Sequence, residues 1–526
     1  MRTFFLGSII PIYVLVWALG KYLDRSFWGL FLLLVPLTIL GLRDIFQRKH
    51  IILRNYPILG HFRFLLESIR PEIQQYFVER FDDGRPFSRE QRSIVYQRAK
   101  GDLDTSAFGT QHDVYAAGSE WLEHSLQVVP KLKEGDDRIT VGNHQCKKPY
   151  SASRLNISAM SYGSLSKTAV EALNWGAKDG NFYHNSGEGG ISPYHKKQGG
   201  DLCWQVGTGY FGCRTSEGLF DRDMFAKKAS LDQVKMIEIK LSQGAKPGHG
   251  GMLPGAKVNE EVAKIRNVEE GMDVLSPPIH SAFDGPKGLL NFVKDLRELS
   301  GGKPIGFKLC VGKKSEFFAI CKAMVELDIY PDFITVDGSE GGTGSSPREF
   351  TDFLGTPLND GLSFVHNALV AAGIRDKLKI IASGKVIDAF NMACKFALGA
   401  DICNSARGMM FALGCIQALR CNSNNCPTGV ATQDPSLYKL IHIEGKAERV
   451  ARYHKKTMLE LEHLIGAAGV DEIIKLKKRH IKRRLGPGKI TNYEKLYPKL
   501  EFNSLMDNTY VGPWLDDWED STSERF

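Results

Sequence analysis

A chain of 526 residues exceeds the usual single hydrophobic core, so one large domain with appendages, or two to three domains, is expected. With 43% hydrophobic and 24% charged residues it can fill a globular interior, which excludes a wholly disordered chain. The formal charge of +8 is modest and gathers towards the two ends, which argues against nucleic-acid binding and for a local anionic partner, and ten cysteines over this length are no disulfide scaffold.

Two charge-free runs open the chain, Phe4–Gly20 and Ser26–Leu42. Each has about 17 residues, the lower end of what crosses a bilayer. Trp17, Tyr22 and Trp28 stand near the run ends, where interfacial aromatic residues collect. No small-x-small cleavage site follows the first run and the second comes at once, so residues 1–50 read as a transmembrane hairpin rather than a signal peptide. Arg43, Arg48, Lys49 and Arg54 after the second run outweigh Lys21 and Arg25 in the connection. That asymmetry predicts a multi-pass anchor in a bacterial inner or plasma membrane, with the rest of the chain cytoplasmic. Residues 51–129 read as a helical linker region, with helical runs at Phe64–Phe77 and Arg89–Lys100 and breaks at Pro71 and Asp83–Pro86.

From Leu155 short β-rich runs alternate with helical ones. Eight strand candidates end in polar or glycine-rich loops, at residues 157–163, 181–187, 203–209, 236–244, 305–310, 333–338, 379–384 and 401–408. This predicts an α/β fold with a (β/α)8 TIM-barrel core within residues 130–436 and an active site at the strand carboxyl ends. No G-x-G-x-x-G follows the first strand, which disfavours an open doubly wound sheet. The last two loops, Ala382-Ser383-Gly384-Lys385 and Asn404-Ser405-Ala406-Arg407-Gly408, stand where such barrels bind phosphate. Small residues such as Gly384 and Ala406 let backbone N–H groups approach an anion, and Lys385 and Arg407 add charge. The loop Asp337–Gly344 before them, with Gly341 and Gly342, allows the same close approach.

Gly414–Val430 holds Cys415, Cys421 and Cys426 with C-x5-C-x4-C spacing, followed by Pro427. Thiolates this close suit a three-iron cluster, or a four-iron cluster with one foreign ligand. Zinc would want a fourth ligand and paired C-x2-4-C spacing. A disulfide or three buried thiols are the remaining alternatives. A phosphate-bearing cofactor beside an iron–sulfur cluster suggests FMN, and the cluster a reducing compartment. Residues 437–526 read as a helical, basic extension, with an amphipathic helix over Ser436–Ala468. The basic run Lys475–Arg484 suits anionic lipid, an acidic electron carrier or a solvated helix face.

Met160-Ser161-Tyr162-Gly163-Ser164, Asn185-Ser186-Gly187-Glu188-Gly189-Gly190, Gln243-Gly244-Ala245-Lys246-Pro247-Gly248, Ser276-Pro277-Pro278, Glu340-Gly341-Gly342-Thr343-Gly344 and the cysteine segment resemble the FMN-binding synthase domain of glutamate synthase, over roughly residues 130–440. The resemblance implies a barrel holding FMN and a 3Fe-4S cluster that reduces 2-iminoglutarate, formed from 2-oxoglutarate and ammonia, to glutamate. It implies Cys415, Cys421 and Cys426 as cluster ligands, and Met160, Ser161, Ser186 and Gln205 as flavin contacts. Lys308 matches a lysine at the flavin pyrimidine end, where a fixed cation stabilises the reduced flavin. Glu188, Lys246 and Arg266 match the 2-oxoglutarate pocket, Glu188 and Lys246 also acting in catalysis with Lys308.

Departures stand beside these matches. After Lys246 the family continues with an acidic residue and then a substrate-contacting glutamine, where this sequence has His249 and Met252. His249 reads either as a proton donor or as a packed loop histidine. The chain starts Met1-Arg2-Thr3-Phe4 without the family's glutaminase cysteine, and no β-helix follows the barrel, so free or partner-supplied ammonia is expected. Without a dinucleotide fingerprint, electrons are expected from a protein donor, a ferredoxin or a reductase. Oxidoreduction of another amino acid, oxo acid or imine and a non-catalytic electron-transfer module are the alternatives. Assembly as a homo-oligomer is left open.

Overall fold

The computed structural model describes the whole chain, Met1–Phe526, as two compact units, Met1–Arg89 and Glu90–Phe526. In the first unit the apolar runs form helices α1 (Arg2–Tyr22) and α2 (Phe31–Phe46), joined by a 3-10 turn at Arg25–Leu30. They pack where glycine permits, since a Cβ on Gly41 would lie 2.1 Å from the Phe5 ring. Tyr13 donates to Thr38 Oγ1 across the pair at 3.1 Å. Away from that seam the apolar side chains are bare, with Phe4, Ile10 and Leu32 exposed. Arg2–Tyr22 and the combined helical segment Arg25–Phe46 are long and apolar enough to cross a membrane. Pro71 was expected to break the next helix, but it sits inside Gly60–Ile73, which loosens into a π turn at Gln74–Val78. Its missing N–H falls in an exposed turn, where the unserved carbonyl can be hydrated.

The second unit is built on a closed parallel barrel. A short strand β1 (Glu120–Leu122) and the hairpin β2 (Arg138–Val141)–β3 (Tyr150–Ser153) precede it. The barrel strands begin with β4 (Leu155–Ile157), β5 (His184–Asn185), β6 (Leu202–Val206) and β7 (Val234–Lys240). After β7 the chain makes the small hairpin β8 (Met252–Leu253)–β9 (Val274–Leu275). The barrel then continues through β10 (Ile305–Leu309), β11 (Phe333–Asp337), β12 (Lys379–Ser383) and β13 (Ile402–Ser405), and β13 pairs with β4 to close it. All eight expected strands are present in the expected order. The first is displaced: Leu155–Ile157 is strand and residues 158–163 are loop, because Ser161 O accepts Leu165 N–H in a local turn instead of a ladder bond. Val141 and Tyr150 of the β2–β3 hairpin plug the amino-terminal end, packing on Tyr183, Cys203, Met236, Phe333, Ile381 and Ile402. That apolar plug leaves the carboxyl end for polar loops.

The flanking regions depart from their helical expectation. Residues 101–119 contain no helix, and β1 follows them. In the carboxyl-terminal extension the helix Ile443–Ala467 is present, but the basic run ends in β14 (Ile481–Gly486), which pairs antiparallel with β1 and β15 (Lys489–Asn492). Ile481 alternates inward, Gly486 and Gly488 allow the tight return, and the bases meet acids, Lys482 on Glu123 (3.1 Å) and Arg483 on Glu120 (3.6 Å). A charge-dense run thus pairs as a strand because acids from a distant segment face it.

Candidate active site

The mouth of the barrel gathers charge from successive strand ends. Glu188 follows β5, and Lys240 ends β7 with its Nζ 2.7 Å from Glu188 Oε1. Glu188 sits between glycines: a Cβ on Gly207 or Gly251 would come within 2.7 and 2.6 Å of its carboxylate. Burial opposes its charge, but Lys240, with Arg266 and Lys246, holds the carboxyl below its ordinary value. Lys246 is 2% exposed and donates to Ser345 O at 3.0 Å. Burial and the neighbouring Lys240 push it down to about 8, with Glu188 opposing. Lys308 pairs in register with Lys240, is buried, and lies 4.0 Å from Asp337 Oδ2, which accepts Gly244 N–H at 2.9 Å. Arg266 closes the helix Glu260–Arg266 and reaches back to Ser161 Oγ (3.3 Å) and Tyr162 O (3.1 Å). Four cations, Lys240, Lys246, Lys308 and Arg266, therefore face two carboxylates, Glu188 and Asp337, leaving an excess of two positive charges. Such an excess in a buried setting favours an anionic ligand.

One layer deeper Glu238 is buried and fully engaged, accepting from Asn185 Nδ2 (3.0 Å), Gln205 Nε2 (2.5 Å) and Thr335 Oγ1 (2.6 Å). Ser186 Oγ accepts Gln205 N–H at 3.1 Å. The expected flavin contacts Ser186 and Gln205 are thus both committed to bonds inside the barrel. Met160 and Ser161 abut the next loop, since a Cβ on Gly187 (φ 63°) would lie 2.6 Å from Ser161 N. His249 makes an edge contact with Phe350 at 5.3 Å, and Met252 lies exposed in β8.

The three anion-loop candidates come together. Gly338 N–H donates to Ser383 O at 2.9 Å, and Ser158 and Ser383 hydroxyls lie 3.2 Å apart. Arg407 Nη2 donates to Glu340 O at 2.7 Å, and a Cβ on Gly342 would lie 2.8 Å from its Nη1. Burial pushes Arg407 down to about 10, with Asp337 and Glu340 opposing. Gly384 has φ 141° and Lys385 φ 48°, an uncommon backbone for lysine.

The cysteine segment leaves the helix Arg407–Leu413 through Gly414, whose φ of 117° suits glycine. All three cysteines are free thiols. Burial first, then mutual repulsion, pushes Cys415 up to about 12 and raises Cys421. They do not converge on a single ion. Gly344 touches this segment, its Cβ position 3.2 Å from Cys421 O. Lys257, buried, donates to Ser164 O (3.1 Å), Cys421 O (2.8 Å) and Ala431 O (2.8 Å), tying the segment to the barrel mouth. Burial lowers Lys257 to about 8 against the pull of Cys421 and Cys426.

Sequence reasoning did not single out Lys240, Glu238 or Lys257. Lys240 alone left a signal, as a basic residue within the strand run expected over 236–244. Lys257 left none, because its partners are backbone carbonyls distant in sequence.

A closed eight-stranded parallel barrel with a cation-rich mouth, glycine-rich loops at the strand carboxyl ends and a cysteine segment at its edge defines a (β/α)8 barrel with its candidate site at that mouth. Residues 109–471 match the family described as the conserved region in glutamate synthase, and the chain belongs to that family, carrying its FMN-binding synthase domain. The glutamate synthase large subunit-like protein YerD of Bacillus subtilis is 39% identical over 495 residues, covering 86% of this chain and 94% of that one. The archaeal glutamate synthase [NADPH] of Methanocaldococcus jannaschii is 34% identical over 322 residues, covering 61% of this chain and 60% of its own length. Among solved structures, a flavocytochrome b2 mutant with pyruvate bound has TM-score 0.43 at 13% identity, covering 91% of this chain and 96% of that one.

Proposed function

We propose that the protein is a membrane-anchored FMN and iron–sulfur oxidoreductase that reduces the imine of 2-oxoglutarate to L-glutamate with electrons from a protein donor, a ferredoxin or a reductase. The observation that carries this reading is the convergence of Lys240, Lys246, Lys308 and Arg266 on Glu188 and Asp337. The residues present fit a flavin phosphate: Gly342, Gly384 and Ala406 leave room for close approach, and Lys385 and Arg407 bring charge. For a cluster, Cys415, Cys421 and Cys426 lie near enough to repel one another as thiolates and could supply one ligand per iron. When bound, FMN supplies the hydride and the cluster supplies single electrons.

The chain's own side chains do the rest. Arg266 and Lys246 grip the two carboxylates of the substrate. Glu188, held ionised by Lys240, accepts an N–H of the imine nitrogen at its carboxylate oxygen. Lys308, Met160 and Ser161 would help hold the flavin, with Lys308 as the fixed cation that would stabilise its reduced form. Lys246, lowered to about 8, is able to donate a proton near neutral pH. The bare apolar faces of α1 and α2 support a bilayer anchor, and the heavier basic flank after α2 favours a cytoplasmic barrel.

The test is anaerobic purification, reduction of the flavin, and addition of 2-oxoglutarate with ammonium while flavin reoxidation and glutamate are followed. Rapid reoxidation with glutamate formed is the expected result, and a flavin that stays reduced would sink the 2-oxoglutarate assignment. A second reading, another imine on the same machinery, is favoured by the exposed Met252 where the family has a substrate-contacting glutamine. The same cuvette with other oxo acids and amines tests it.

A further inference from the structure

A second cavity of about 600 Å³ opens beside the barrel mouth, between the loop after β5, the segment Gly212–Asp221, the helix Arg222–Ala229 and the end of the helix Glu260–Arg266. Its lining includes Ile191, three residues after Glu188, and Asn267, the neighbour of Arg266. Arg214, Lys228 and Lys264 line it against one carboxylate, Asp221, whose Oδ1 already accepts Met224 N–H at 2.8 Å. The Nε of Arg214 is buried without a hydrogen-bond partner. Burial lowers both Arg214 and Lys228, and Lys196 adds to the strain on Lys228. Drawing cations out of water without counter-charge is unfavourable, and an anion of charge two would offset the excess here. The space is ample for it, since a water molecule takes about 30 Å³.

The Phe211 ring links a residue of the cavity lining to one of the mouth. Arg214 stacks 5.5 Å from its centroid and Arg266 5.1 Å. One aromatic ring thus carries a cavity arginine and a substrate-site arginine. We propose that the cavity is a binding site for a small dianion, a phosphate or a dicarboxylate, held by Arg214 and Lys228 with Lys264 at the rim. The site is distinct from the barrel mouth and does not depend on the reaction proposed above.

Calorimetric titration of the full-length, FMN-loaded protein in detergent, at constant ionic strength, tests it with inorganic phosphate and with malonate as probes. A saturable site that persists in Lys246→Met is expected, with a dissociation constant below about 1 mM for at least one probe, and the tighter probe there identifies the ligand class. The double variant R214Q/K228M should weaken it at least about tenfold with flavin content unchanged. Lys264→Glu, an exposed change that leaves the fold alone, should weaken it in the same direction, and Lys246→Met in the mouth should leave it intact. Absence of saturable binding by both probes would overturn the proposal. So would binding that survives R214Q/K228M and K264E but disappears in K246M, because the ligand would then sit in the mouth.

Discussion

Lys246 should trade stability for binding. It is 2% exposed, donates to one carbonyl, and is lowered from 10.5 to about 8 by burial and by Lys240, with Glu188 opposing. At about 1.4 kcal/mol per pH unit, that fall means a cost of about 3 kcal/mol for holding the ammonium charged in the folded protein at pH 7. Between about pH 8 and 10.5 the unfolded chain keeps this proton and the folded chain does not, so stability rises with pH across that window. Lys246→Met removes the cost and loses the bond to Ser345 O, worth about 1–2 kcal/mol. The variant should be about 1–2 kcal/mol more stable than wild type at pH 7, and the advantage should be gone above about pH 10.5.

Binding should move the other way. A substrate carboxylate gives the ammonium its counter-charge, and a charged hydrogen bond of about 1.5–3 kcal/mol corresponds to a loss of roughly 10- to 100-fold in affinity on substitution. In the wild type the dissociation constant for 2-oxoglutarate should rise about tenfold per pH unit above pH 8. Urea unfolding followed by tryptophan fluorescence measures the first effect, and titration of the flavin absorbance with 2-oxoglutarate between pH 7 and 9.5 the second. A variant less stable than wild type at pH 7, or wild-type affinity flat across that range, would refute the reasoning.

Replacing Cys415, Cys421 or Cys426 singly by serine should empty the protein of iron and acid-labile sulfide while flavin content holds; full iron in any of the three variants would remove that residue from the ligand set. Gly244→Ala would set a Cβ 1.7 Å from Gly338 O, a backbone atom that cannot step aside, so a loss above about 3 kcal/mol or failure to fold is expected, read by expression and urea unfolding. Gly342→Ala meets only the end of the Arg407 side chain at 2.8 Å, and should weaken FMN binding in a fluorescence titration without unfolding the barrel. Deleting residues 1–46 should move the protein from the membrane to the soluble fraction in a flotation assay; a full-length chain that already remains soluble would rule the anchor out.

The barrel was legible because a parallel sheet buried on both faces writes near-continuous apolar runs, each closed by a loop that needs glycine. Ile305–Leu309 and Phe333–Asp337 are buried at every position, and their ends carry Lys308 and Asp337. What stayed hidden were partnerships made across sequence. The run Lys475–Arg484 looks like a solvated helix until Glu120 and Glu123, some 360 residues earlier, are placed opposite it. Glu238 is an acid inside a largely buried strand with no partner in its own sequence neighbourhood, satisfied only by Asn185, Gln205 and Thr335 from other strands. Local periodicity carries no information about which distant donor will arrive.

The departures at His249 and Met252 stand apart from the charged residues of the mouth. His249 packs on Phe350 and Met252 lies exposed, its carbonyl accepting Ser345 Oγ at 2.7 Å. Neither forms an ion pair with Glu188, whose carboxylate is held by Lys240 and lowered by Lys246 and Arg266. The electrostatic frame that would clamp a dicarboxylate therefore does not include the two changed positions. A methionine at the rim removes a hydrogen-bonding amide from a wall that remains cationic. On the proposed function, charge would select for an acidic substrate and the rim would set which one, so the width of the oxo-acid spectrum is the property expected to respond most to Met252→Gln.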